Sequence, residues 1–183
     1  MSLMYVILSF TPGILPFRDP RVEGRNNNKG SYSACTIWGH YRNKYYLIYA
    51  WRGRVEFPTL KGMVFSLIEK YPLNALLIED RASGQSLIQE LKRDTTLPII
   101  PIKAVTDKVT RAHGVTPLFD SGLVVLPKDP WAQPFVSELL EFPKGANDDF
   151  TDSAVQALDY LAHRKVARPT VGRSIRPFSI YGR

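Results

Sequence analysis

Three strand-like runs come before any convincing helix, and the pattern then switches to helix and strand in alternation. Tyr5 to Phe10 is a short apolar run stopped by Thr11-Pro12-Gly13. Tyr32 to Trp38 and Tyr45 to Trp51 are rich in aromatic and β-branched residues, and Gly39 to Lys44 between them suits a hairpin turn. Leu60, Met63, Val64, Leu67, Ile68 and Tyr71 then follow helical spacing, ahead of a short strand ending at Ile78. This order predicts an α/β fold with a central mixed sheet, in which three antiparallel strands are followed by parallel strands with helices on both faces.

The rest of the chain keeps the alternation. Gly84 to Arg93 reads as helix, Leu97 to Ile102 as strand, and Thr106 to Phe119 as helix with a break near Gly114. Leu123 to Leu126 reads as a short strand, and Trp131 to Leu140 and Asp149 to His163 as helices. Gly13 to Ser31 has no period and is expected to be a long loop. The chain of 183 residues, 44% of them hydrophobic, suits one compact domain.

Two acidic clusters stand at the ends of core elements. Glu79-Asp80 closes the strand Ala75 to Ile78, and Asp148-Asp149-Phe150-Thr151-Asp152 opens the last helix. One aspartate at a helix start is explained by capping, and Asp148 is the residue placed to do it. At 100° per residue, Asp149, Asp152, Gln156 and Asp159 share one face, and Ala154, Val155, Leu158, Leu161 and Ala162 form the opposite stripe. That helix is expected to bury one side and present carboxylates on the other. Because chemistry in such sheets gathers at strand carboxyl ends, both clusters are expected at one edge.

Charge points to the substrate class. The chain carries 24 Lys plus Arg against 17 Asp plus Glu, a net +7. Arg164, Lys165, Arg168, Arg173, Arg176 and Arg183 make the final segment basic. A basic surface around an acidic pocket suits a phosphodiester cut with the help of metal ions. Cys35 is the lone cysteine, which excludes an internal disulfide and a multi-cysteine zinc site, and it reads as a buried structural thiol. His40, His113 and His163 are too scattered for a zinc pair and read as surface or loop residues. No apolar run approaches the roughly 20 residues needed to span a bilayer and no signal peptide is evident, so a cytoplasmic protein without a membrane partner is expected.

The run Leu77-Ile78-Glu79-Asp80-Arg81-Ala82-Ser83-Gly84-Gln85-Ser86-Leu87-Ile88-Gln89-Glu90-Leu91, then Asp107-Lys108-Val109-Thr110-Arg111-Ala112, then Asp148-Asp149-Phe150-Thr151-Asp152-Ser153, resembles the nuclease domain of phage terminase large subunits. Tyr32 to Trp38, Trp51-Arg52-Gly53-Arg54 and Phe142-Pro143-Lys144-Gly145 add to the likeness, in family order over Tyr5 to His163. The resemblance implies a ribonuclease H-like fold and metal-dependent endonucleolytic cutting of concatemeric viral DNA during genome packaging. Residues 1–3 then read as a leader, 4–163 as the nuclease domain and 164–183 as a basic tail.

The resemblance also implies roles. Glu79 matches the acid that ends the fourth strand, with Asp80 as its substitute, and Asp149 matches the acid at the start of the last helix. Asp152, one turn on, would supply a further ligand or hold the geometry of Asp149, with Asp148 in reserve. These carboxylates would hold two Mg²⁺ or Mn²⁺ ions, hard cations that prefer oxygen. Lys108, Arg111 and Arg81 are the candidate contacts to double-stranded DNA, with Lys108 and Arg111 equally suited to an acidic neighbour. No GxxxxGK[ST] phosphate loop occurs in the chain, so an ATPase motor, with the portal and small terminase subunit, belongs among the expected partners.

One position departs from the family pattern. Where an aspartate normally ends the first strand, this chain has Thr11, within Ser9-Phe10-Thr11-Pro12-Gly13. The long following loop contains Asp19, a carboxylate that could reach back to compensate. The alternative expectation is therefore a catalytically impaired prophage remnant that acts only as a DNA-binding or packaging-assembly module.

Overall fold

The computed structural model describes residues 4–13, 32–103 and 105–164. Asp19, the leader at residues 1–3 and the basic tail beyond Arg164 lie outside the described residues. A six-stranded sheet forms the centre, built from β1 (Tyr5–Thr11), β2 (Ser33–Tyr41), β3 (Lys44–Gly53), β4 (Ala75–Glu79), β5 (Ile99–Ile102) and β6 (Val124–Val125). Their order across the sheet is β5-β4-β1-β2-β3-β6. β1, β2 and β3 run antiparallel, whereas β4 joins β1, β5 joins β4 and β6 joins β3 in parallel. The mixed sheet expected from the element order is the one observed.

The hairpin between β2 and β3 is tighter than the expected loop. Tyr41 pairs with Lys44, so only Arg42 and Asn43 turn the chain, at φ 46° and 63°. Two successive left-handed residues match the twist of the flanking strands, and asparagine tolerates that conformation well. The register then shifts beside Ile37 and Trp38, where Ile48 is the extra residue.

Alternation along the strands divides the core. Val6, Leu8, Phe10, Leu76 and Ile78 face α1 (Phe57–Lys70) and α2 (Ala82–Asp94). Ile7, Ala75 and Leu77 face the other layer, made of α3 (Lys108–Asp120), α4 (Gln133–Glu141) and α5 (Asp149–His163). β1 is paired on both edges and buried on both faces, as a continuous apolar run requires. The same period of two turns Ser9, Thr11 and Glu79 toward the α5 layer.

Three expectations need correction. α3 runs unbroken through Gly114, because a helix tolerates an isolated glycine, and it starts where the Asp107 side chain accepts the Thr110 amide at 3.0 Å. A 3-10 turn over Pro130–Ala132 precedes α4 at the position expected to begin a regular helix. His40 belongs to β2 and stacks on Tyr45 with ring centroids 4.8 Å apart, so it is not a loop residue. Cys35 is fully buried, and burial pushes its thiol up to about 12, which makes it inert at neutral pH.

Candidate active site at the carboxyl edge of the sheet

β1 and β4 deliver the first two side chains. Phe10 pairs with Ile78, so the next residues, Thr11 and Glu79, sit side by side at the carboxyl ends of adjacent parallel strands. Glu79 is 5% exposed. Burial raises its pKa most strongly; Arg81 opposes that shift and Asp152 adds to it, while Arg111 and Lys108 lower it. The Arg81 Nε lies 3.0 Å from Glu79 Oε1, with most of the arginine in solvent. Thr11 is buried, and its Oγ1 has no hydrogen-bond partner among the described residues. Asp80 lies just beyond the strand, with its amide donating to the Ile102 carbonyl at 2.8 Å.

α5 delivers the second set, and a buried polar ladder fixes its register. Ser153 Oγ lies 2.8 Å from Thr36 Oγ1 and donates to the Ser9 carbonyl at 3.1 Å, while Gln156 Nε2 donates to Ser9 Oγ at 3.0 Å. These bonds tie α5 to β1 and β2 directly behind Thr11. They also overturn the expected one-sided helix. Phe150 to Leu158 are all buried, including Thr151, Asp152, Ser153 and Gln156, because tertiary partners satisfy the polar face.

Two cations from α3 meet the acidic cluster. Lys108 Nζ lies 2.8 Å from Asp152 Oδ2 and 2.7 Å from Asp148 Oδ2, and Arg111 Nη2 lies 3.4 Å from Asp152 Oδ1. Lys108 and Arg111 therefore contact acidic neighbours here, one of the two roles expected for them. Arg111 Nε is buried with no hydrogen-bond partner among the described residues. Asp148 occupies the N-cap position of α5, yet its side chain makes no capping bond, contrary to expectation, because it is committed to Lys108. Asp149 is half-buried, and its pKa is raised by burial and by Asp148, against the pull of Arg52 and Lys108.

Asp152 thus lies near enough for its charge to raise the pKa of Glu79, and Lys108 bridges Asp148 and Asp152 while its charge also reaches Asp149. Beside the cluster, between α3, α5 and the end of β5, opens a cavity of about 510 Å³ reached by Lys103, Thr110, Arg111, Gln156 and His163. Sequence reasoning missed Ser9, Thr36, Ser153 and Gln156, whose roles depend on pairing across more than a hundred residues. It also missed Glu138, a buried carboxylate paired with Arg52. The only sequence signal for that pair is Trp51-Arg52-Gly53-Arg54.

The donors suit a hard divalent cation in kind, since all are oxygen, and the buried unpartnered Thr11 hydroxyl adds one more at the same edge. They fall short in number. Among the described residues, no three of the His, Cys, Asp and Glu side chains converge closely enough to hold an ion. Lys108 and Arg111 instead supply positive charge to Asp152. No helix among the described residues is long and apolar enough to cross a membrane.

Comparison with known proteins converges on one group. Residues 24–161 match the terminase RNaseH-like domain family. The human cytomegalovirus terminase nuclease domain superposes with a TM-score of 0.57 at 16% identity, over 86% of this chain and 82% of that one. The large terminase nuclease from thermophilic phage G20c, with bound zinc, gives 0.61 at 15% identity over 85% and 81%. A longer large terminase from another thermophilic bacteriophage gives 0.63 at 13% identity, over 86% of this chain and 39% of its own. Comparison with the curated proteins gives no match. The structural likeness, at these identities, is one of fold, and it is the ribonuclease H-like terminase nuclease fold. With the family matched over most of its length, this chain belongs to the terminase ribonuclease H-like domain family.

Proposed function

We propose that the chain is the metal-dependent DNA endonuclease domain of a phage or prophage terminase large subunit, cutting concatemeric viral DNA during genome packaging. The observation that carries this reading is the pair of buried carboxylates, Glu79 at the carboxyl end of β4 and Asp152 in the first turn of α5, in a chain of the terminase RNaseH-like domain family. Glu79, Asp149 and Asp152 are the residues that would supply ligands to Mg²⁺ or Mn²⁺, with Asp80 and Asp148 in reserve, and because no three of the carboxylates among the described residues converge as they stand, an ion would have to draw them together. The chemistry such ions supply is polarisation of the phosphodiester and activation of water for in-line attack. Support for a divalent ion comes from the all-oxygen donor set and from relatives whose structures were soaked with manganese or hold zinc.

The protein's own cations bind and orient DNA. Arg81 is mostly exposed beside Glu79 and suits a phosphate contact. Lys108, shared between Asp148 and Asp152, can pass to a DNA phosphate when the carboxylates acquire another cation. Arg111, less exposed than Lys108, keeps Asp152 in place. The partners of this reading are double-stranded DNA, an ATPase motor, the portal and the small terminase subunit, in the host cytoplasm.

A second reading is favoured by Thr11. A neutral hydroxyl stands where the family places its first acid, and two cations already balance Asp152. This reading is an impaired nuclease that retains only DNA binding. Supercoiled plasmid incubated in Mn²⁺ with the parent and with Thr11→Asp separates the two. Nicking by the parent supports the active endonuclease. Nicking by Thr11→Asp alone supports an enzyme disabled at one ligand, and salt-sensitive binding without cleavage by either supports the binding module.

A further inference from the structure

The first turn of α5 is capped from outside. In a self-capped helix the side chain at the N-cap accepts the amide of the second or third helical residue, here Phe150 or Thr151. Asp148 holds the N-cap position but gives its carboxylate to Lys108. The vacant role falls to Glu138 on α4. Its Oε1 accepts the Thr151 amide at 2.9 Å and lies 3.4 Å from Thr151 Oγ1, and the Phe150 amide also hydrogen-bonds the carboxylate. Its Oε2 accepts from Arg52 Nη1. The Arg52 guanidinium in turn lies over the rings of Phe150 and Tyr32, 4.9 Å from each centroid.

We infer that Glu138, held by Arg52, is the N-cap of α5 supplied from α4, a positioning residue that releases Asp148 to the acidic cluster and aims Asp149 and Asp152. Thr151, the residue Glu138 grips, stands between those two carboxylates in sequence. A buried carboxylate without partners is costly, and this one is matched by two amides, a hydroxyl and a guanidinium. It therefore holds a single position, and the helix start is fixed to α4 and β3. The consequence for catalysis rests on the endonuclease reading; the cap itself does not.

The test compares Glu138→Ala and Glu138→Gln with the parent in the full chain. Glutamine keeps an acceptor for the Thr151 amide and alanine keeps none. Amide hydrogen exchange is read at Phe150 and Thr151 against the distant Leu158, and plasmid nicking in Mn²⁺ is resolved into kcat and KM. In Glu138→Ala, exchange at Phe150 and Thr151 is expected to speed up about five- to tenfold relative to Leu158, with glutamine restoring most of the protection. Turnover is expected to fall on the order of tenfold to a hundredfold, with KM for DNA unchanged and recovery in Glu138→Gln. Unchanged exchange in Glu138→Ala overturns the cap, and faster exchange with full turnover overturns the positioning role. A parent that cuts no DNA contradicts the endonuclease reading instead, and the exchange data alone then uphold or overturn the cap.

Discussion

Gly84→Ala is a single methyl group with a calculable outcome. Gly84 lies in the first turn of α2, where that helix leaves the active-site edge immediately after Glu79. A Cβ built there would stand 2.0 Å from the Glu79 carbonyl oxygen and 3.2 Å from Pro12 Cγ. The oxygen belongs to backbone, so relief requires moving α2 or the end of β4. Overpacking of this kind costs about 1–3 kcal/mol, against about 1 kcal/mol gained from replacing glycine by alanine in a helix. A contact as short as 2.0 Å belongs at the upper end of that range, which leaves a net loss of about 2 kcal/mol. For a domain of this size that lowers Tm by about 4–8 °C. Gly114→Ala in α3 and Gly62→Ala in α1 meet nothing within 4 Å, so each should gain up to about 1 kcal/mol. Urea unfolding of the three variants, with m-values compared, reads the signs directly. A Gly84→Ala protein as stable as the parent would refute the close approach of α2 to Glu79, and with it the placement of that carboxylate.

Glu79, Glu138 and Asp149 all have pKa values raised chiefly by burial, so between their ordinary and folded values the native state binds more protons than the unfolded chain. Each contribution is fully present below the group's ordinary value, 4.5 for Glu79 and Glu138 and 3.8 for Asp149, and is lost as pH rises through its folded pKa. Glu79→Gln should therefore be more stable than the parent at pH 7 in EDTA, with the difference vanishing toward pH 4; urea midpoints across that range check it, and a constant difference would contradict it. Lys108→Ala removes the shared partner of Asp148 and Asp152. Because Lys108 is about a third exposed, the stability cost should stay near or below about 1 kcal/mol. Its Mn²⁺ affinity by calorimetry should exceed the parent's, whereas weaker binding would show that Lys108 does not compete for the carboxylates.

The strands that build the site were legible because their apolar runs are short and sharply ended. Tyr5 to Phe10 and Ala75 to Ile78 became β1 and β4 nearly residue for residue, and Glu79 emerged at a strand end as expected. The last helix was found, but its exposure was misjudged. Periodicity treats Asp152 and Gln156 as solvent-facing; the family resemblance allows Lys108 and Arg111 an acidic neighbour, and the fold identifies it as Asp152 and gives Gln156 its partner in Ser9. Asp148 was misread for the same reason: a carboxylate at a helix start looks like a cap until another group takes the amides. Glu138 gave no signal, since one glutamate in an amphipathic helix is ordinary until α4 and α5 pack. Gly114 looked like a break, but α3 has room around it and continues. Thr11 was located through the family resemblance, and the structure adds that its hydroxyl is buried, with no hydrogen-bond partner among the described residues.

The most direct measurement is the rate of plasmid nicking in Mn²⁺ by the parent, Glu79→Gln and Asp152→Asn, each first shown to be folded by urea unfolding. The parent is expected to nick and both variants to lose on the order of a hundredfold or more, since removing one electrostatic contributor to phosphoryl chemistry commonly costs that much. Equal rates in all three proteins would contradict it, because the acidic pair at the sheet edge would then have no part in cutting DNA.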